Sequence, residues 1–141
     1  MGKMLVLYFS VYGTARKVAE EIGRQTGVDV VEIVPAVPYD SDRNHYNALA
    51  RLAKREHDED QRPAIANEID IAGYDTIFIG YPMWWYTFPM IIYTIFDKYD
   101  FSGKTIIPFN THMGSNDGGT YATIRQLEPG AKVMIVYPLK S

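Results

Sequence analysis

Residues 4–22 read MLVLYFSVYGTARKVAEEI, and the change of pattern inside that stretch decides the architecture. Met4 to Phe9 are apolar without alternation. Alternation marks a strand with one face in water, so an unbroken run reads as a strand covered by helices on both faces. Beyond residues 10–14 the period changes. Ala15, Val18, Ala19 and Ile22 fall at helical spacing, and Gly27 stands where a helix stop belongs. Val28, Val30, Val31, Ile33 and Val34 then form a β-branched second strand, interrupted by Asp29 and Glu32 as an edge position tolerates. Strand, helix, strand is a parallel unit.

The same alternation continues outward. Residues 35–73 are a polar insert in which Tyr46, Leu49, Leu52 and Ala53 give one narrow apolar helical stripe. The run KREHDEDQR at 54–62 closes that helix, and its mixed signs read as a solvated helix end with no function. Residues 76–79 make a buried third strand ending at Gly80. Thr87 and Pro89 open a helix carrying Ile91, Ile92, Ile95 and Phe96. Residues 105–109 make a fourth strand, in which Pro108 is tolerable only if the ladder is already ending. A short helix over 120–127 stops at Pro129 and Gly130, and 133–137 is the fifth strand. The expected fold is α/β, a doubly wound parallel sheet with right-handed crossovers.

Length and composition limit what such a fold can do here. The chain has 141 residues, one domain by size, and a domain of this length buries close to ~70% of its unfolded surface. Its 47% hydrophobic and 22% charged residues are those of a globular protein. No apolar run approaches the roughly 20 residues of a membrane span. The first ten residues lack a cleavage pattern, so the expected address is cytoplasmic. A net charge of -3 with no basic stripe argues against nucleic acid as a partner. The absence of cysteine removes disulfides, thiolate nucleophiles and Cys-ligated metals. Three scattered histidines without carboxylates at ligand spacing predict no metal site; His45 and His57 read as exposed residues of the insert.

In open parallel sheets ligands bind beyond the carboxyl ends of the strands, where the strand order reverses. Three loops therefore matter. SVYGTAR, residues 10–16, sets Gly13 at the tight turn and offers the hydroxyls of Ser10, Tyr12 and Thr14 beside the free amides of a helix start, an arrangement suited to a phosphate; an ordinary serine-capped helix would read the same way. GYPMWWYTFP, residues 80–89, holds both tryptophans of the chain, whose flat faces suit a planar ligand, with a core or oligomer contact as the alternative. NTHMGSNDGGT, residues 110–120, adds glycines that permit close backbone approach and polar groups at Asn110, Thr111 and His112.

A phosphate, a flexible polar linker and a flat polar ring together describe flavin mononucleotide, FMN. The SVYGTA, GYPMWW and THMGS loops, with PAVPYDSD after strand two and DKYDFSGKTIIPF before strand four, resemble those of the short flavodoxins and flavodoxin-like flavoproteins. The resemblance runs from strand one to strand five. It implies a five-stranded sheet in the order 2-1-3-4-5 with FMN at the switch between strands one and three. By position it implies that Ser10, Tyr12, Gly13, Thr14 and Ala15 hold the phosphate, with Arg16 beside them. Pro82, Met83, Trp84, Trp85 and Tyr86 would flank the ring. Asn110, Thr111, His112 and Gly114 would line its far edge, followed by Gly118 and Gly119. Two departures stand out: Ala15 occupies a position where family members often have Thr, and the usual helix after strand five is not expected here, a face for which a homodimer is the preferred cover and the preceding loops the alternative.

The resemblance implies a low-potential electron carrier between redox partner proteins, with no side chain acting as a catalytic acid or base. The alternative is an FMN-dependent oxidoreductase that takes a nicotinamide and a quinone as small-molecule substrates, in which His112 could donate a proton. Other classes lack their signatures. A phosphoacceptor receiver needs acidic residues where this chain has Ser10 and Gly80, and no GxGxxG, GxxxxGK or GxSxG turn is present.

Overall fold

The computed structural model describes residues 3–84, 87–111 and 119–134. Five parallel strands, β1 (Met4–Tyr8), β2 (Asp29–Glu32), β3 (Thr76–Pro82), β4 (Thr105–Thr111) and β5 (Lys132–Val133), form one sheet in the order β2-β1-β3-β4-β5. This is the expected order, with the reversal between β1 and β3. The helices are α1 (Thr14–Thr26), α2 (Tyr46–Asp58), α3 (Met90–Lys98) and α4 (Thr120–Leu127), with a 3-10 turn at Arg43–His45 leading into α2.

The unbroken apolar runs are explained by two-sided burial. Alternate residues of the central strands serve opposite faces. Leu5, Leu7, Ile77, Ile79, Tyr81 and Ile106 pack with Ile91, Ile92 and Ile95 of α3 and Ile124 of α4. Val6, Tyr8 and Phe109 pack on the other face with Ala19 of α1, joined by the partly buried Val18, Ile22 and Phe78. Gly27 closes α1 in the left-handed region, its amide donating to the Gly23 carbonyl at 2.7 Å.

Several boundaries differ from the sequence expectation. β2 is shorter than the run 28–34, although Ile33 beyond it is fully buried. β3 and β4 each run two residues further, to Pro82 and Thr111, because they pair with each other to their ends. Pro108 explains how this is possible. The Thr105 amide donates to the Asp75 carbonyl on the β3 side, so by alternation position 108 faces β5. The β4–β5 pairs among the described residues are Thr105 with Lys132 and Ile106 with Val133, and the missing N–H affects only that side. The stripe on α2 is also narrower than its spacing suggests: Leu49 and Ala53 are buried, whereas Tyr46 is 59% exposed.

The main correction concerns the charged run at 54–62. Glu56 within it is only 6% exposed, so that run is not solvated throughout. Tyr39, in the loop before α2, accounts for its inward position, donating its hydroxyl to the Glu56 carboxylate at 2.9 and 2.8 Å from the two oxygens. The expected strand residues 135–137 lie outside the described residues, as does the stretch in which a final helix was expected to be missing.

Candidate functional site

Strand register brings the carboxyl ends of β1, β3 and β4 to one rim. Tyr8, Gly80 and Phe109 are aligned across β1, β3 and β4, and the next pairs are Tyr81 with Asn110 and Pro82 with Thr111. Chain leaving β1 therefore emerges beside chain leaving β3 and β4. Phe9, the first residue past β1, still donates its amide to the Gly80 carbonyl at 2.9 Å.

The turn after β1 is organised by Ser10 and Gly13. Gly13 has φ of 91°, a backbone conformation that disfavours any residue with a Cβ, and it stands immediately before α1. Its amide donates to Ser10 Oγ at 3.0 Å, so the serine fixes the turn from three residues back. The intrahelical ladder begins with the Lys17 amide donating to the Gly13 carbonyl. The preceding amides, of Thr14, Ala15 and Arg16, have no acceptor within the helix and form a cluster of donors at its positive end. Thr14 and Arg16 are exposed and Ala15 is buried. The space beyond Gly13 is open: a Cβ built there meets nothing within 4 Å. The Tyr12 hydroxyl is shielded from solvent on the side of the insert, near Arg43, Tyr46, Asp40 and Asp42, and has no hydrogen-bond partner among the described residues. Burial pushes the Tyr12 phenol up, with the Arg43 guanidinium opposing the shift from 4.6 Å above the ring. The turn thus offers amide donors and room for an anion.

The turn after β3 is held by backbone pairing. The Met83 amide donates to the Thr111 carbonyl at 3.1 Å, while Trp84 and Thr87 exchange hydrogen bonds of 2.8 and 3.1 Å. Pro82, Met83 and Trp84 are partly buried. Trp84 does not stand clear in solvent, as the loop composition suggested. Its ring meets Phe9 at 5.5 Å and Tyr39 at 5.3 Å, both edge to face, and Phe9 and Tyr39 meet at 5.5 Å, closing a triangle of aromatic rings. Such edge-to-face pairs fix relative orientation as well as burying area.

At the end of β4, Asn110 and Thr111 are partly buried. Asn110 Oδ1 accepts from the Tyr121 hydroxyl of α4 at 2.7 Å, which ties this corner of the rim to the last helix described. Gly119 is exposed and precedes α4 with φ of 80°. Of the residues named from sequence, Ser10, Tyr12, Gly13, Thr14, Ala15, Arg16, Pro82, Met83, Trp84, Asn110 and Thr111 belong to these three turns. Trp85, Tyr86, His112, Gly114 and Gly118 lie outside the described residues.

Sequence reasoning missed Tyr39, Arg43 and Glu56, all from the insert between β2 and β3. The insert closes on this rim through Tyr39 against Trp84 and Arg43 over Tyr12. The stretch PAVPYDSD carries part of the family resemblance, and its tyrosine was the available signal.

Comparison with known proteins agrees with the geometry. The chain is 35% identical to a structurally characterised protein of Bacteroides eggerthii DSM 20697, with a TM-score of 0.82 over 96% of this chain and 86% of that one. It is 26% identical to a flavoprotein of Lactobacillus acidophilus NCFM determined in complex with FMN, with a TM-score of 0.80 over 96% of this chain and 92% of the other. Among curated relatives, an NAD(P)H dehydrogenase (quinone) of Cupriavidus metallidurans is 36% identical over 88 residues, covering 58% of this chain but 39% of that protein. The flavodoxin family model matches residues 3–137. A match of that extent, on a sheet with the 2-1-3-4-5 order, makes this chain a member of the flavodoxin family.

Proposed function

We propose that the chain is an FMN-binding flavoprotein that carries electrons between redox partners. The observation that carries this reading is the turn after β1, where three first-turn amides stand beside the open space at Gly13, next to the aromatic turn after β3. These donors fit the phosphate of FMN, and the partly buried Pro82, Met83 and Trp84 fit the edge of its ring. Bound FMN supplies reversible electron transfer, and the protein supplies position and electrostatics.

The chain's own contributions follow from the geometry. Ser10 holds the Gly13 amide, which keeps the turn shaped for an anion while the amides of residues 14–16 face outward. Ala15 contributes its amide but no hydroxyl. Asn110, at the end of β4, is oriented by the Tyr121 hydroxyl. Gly80 lets the Phe109 ring lie across β3, filling the sheet face beneath the rim.

A second reading, an FMN-dependent NAD(P)H:quinone oxidoreductase, is favoured by the names of two curated relatives, from Cupriavidus metallidurans and Gluconacetobacter diazotrophicus, at 36% and 34% identity. The chain spans 39% of the length of each. The two readings separate in one experiment. The purified protein is titrated with FMN, followed by absorbance and fluorescence quenching, and then mixed anaerobically with NADH or NADPH and a benzoquinone. The carrier reading expects tight FMN binding and no nicotinamide oxidation above background until a reductase is added. Direct steady-state turnover overturns it in favour of the oxidoreductase. Failure to quench FMN overturns both.

A further inference from the structure

We propose that Tyr39 and Glu56 are positioning residues for the flavin site: the Glu56 carboxyl of α2 anchors the Tyr39 hydroxyl, and the Tyr39 ring in turn fixes Trp84 at the rim. This inference deepens the FMN reading and rests on it. The chain of contacts is continuous. Glu56 accepts from Tyr39 at 2.9 and 2.8 Å, and Tyr39 packs edge-on against Trp84 at 5.3 Å and Phe9 at 5.5 Å. Phe9 directly follows β1 and leads into the phosphate turn. One ring triangle therefore links the helix of the insert with both turns that border the ligand.

Glu56 is a costly choice for a purely structural role. It is one of two buried polar or charged residues among those described, and a buried carboxyl needs partners for its lone pairs. Here it has a single neutral donor. Lys54 and His57 on the same helix face Asp58, Asp97 of α3 is engaged by Arg62, and Arg51 and Arg55 make no ion pair among the described residues. Burial pushes the Glu56 carboxyl above the usual carboxylate range, with the Tyr39 bond partly opposing the shift. The Tyr39 phenol is pushed far upward by burial and by Glu56, so it remains protonated and Glu56 is the member that titrates. Ionisation of Glu56 turns a neutral hydrogen bond into a charge-assisted one and places a negative charge behind the aromatic triangle.

Two measurements test the proposal. In a Trp85→Phe background Trp84 is the only indole, because the chain has two tryptophans. Without FMN, Glu56→Leu and Tyr39→Phe, which each delete the hydrogen bond, should shift Trp84 emission to longer wavelength. In the otherwise natural chain the same substitutions should weaken FMN binding by about fivefold, the equivalent of one net hydrogen bond. The FMN affinity of the natural chain should also change through one pH transition that Glu56→Gln lacks. Tyr74→Phe, which removes a comparable tyrosine–carboxylate bond to Asp29 on the surface, is the control and should leave both readouts unchanged. A natural chain that binds FMN while both variants bind it equally well, or leave Trp84 emission unmoved, overturns this inference alone. An equal loss in Tyr74→Phe also overturns it. A natural chain that fails to bind FMN overturns the cofactor reading and this inference with it.

Discussion

Single residues at the rim are constrained for different reasons. At Gly80 a Cβ would fall within the ring of Phe109, which is 5% exposed and has little room to retreat. Gly80→Ala is therefore expected to destabilise the fold by about 1–3 kcal/mol, the usual range for overpacking a core, read as a lower denaturation midpoint with an unchanged m-value. Glu56 is constrained by charge. Its carboxyl is raised in the folded state, so the fold binds its proton more tightly than the unfolded chain does. Stability from this group is then full below the unfolded value and falls as pH rises toward the folded one, the reverse of a salt-bridged carboxylate. Melting temperatures of the parent and Glu56→Gln, measured across pH, should diverge over that window with the parent losing ground. A constant difference would contradict the assignment. Gly80 reads from sequence as a strand terminus but lies inside β3, and its packing reason was not legible, since the ring that fills the space is 29 positions away in the chain. Glu56 was illegible because its neighbours in sequence are charged and solvated, and only the return of Tyr39 makes position 56 an interior one.

At the scale of elements, α1 shows how a helix is started and stopped by glycine and what limits its interior. Ser10 and the left-handed Gly13 set its start, and Gly13→Ala is expected to cost about 1–2 kcal/mol through backbone strain alone, since the space around it is open. Denaturant unfolding measures the loss, and FMN affinity should fall with it if the same turn holds the phosphate as proposed. Gly23 lies in the middle of α1, where alanine would ordinarily gain close to ~1 kcal/mol in helix propensity. A Cβ there would overlap a methyl of Val30 on β2. Gly23→Ala alone should leave the melting temperature at or below that of the parent, and adding Val30→Ala should release the propensity gain. Additive effects in this double-mutant cycle would show that the helix and strand are not in close contact. Helix α1 was almost entirely readable, since periodicity and both glycine signals agreed. The ends of β3 and β4 were not, because each is prolonged by pairing with the other.

For the whole molecule, ligand binding and stability are linked. FMN at a hundred times its dissociation constant should stabilise the fold by about 2.7 kcal/mol, seen as a rise in melting temperature that grows with FMN concentration. Trp84→Ala should reduce that rise by weakening binding, and an unchanged rise would remove Trp84 from the site. No helix among the described residues is long and apolar enough to cross a membrane. The sequence by itself determined the α/β class, the succession of strands and helices, and the three turns in which to look for a ligand. Those features follow from short-range causes: runs buried on two faces, helical spacing, and glycine and proline at turns. The tertiary structure decided that the insert between β2 and β3 folds back onto the same rim, bringing Tyr39 to Trp84, Arg43 to Tyr12 and Glu56 into the interior. Contacts of that kind depend on where distant segments come to rest in space, and neither the period nor the polarity of the local chain records them.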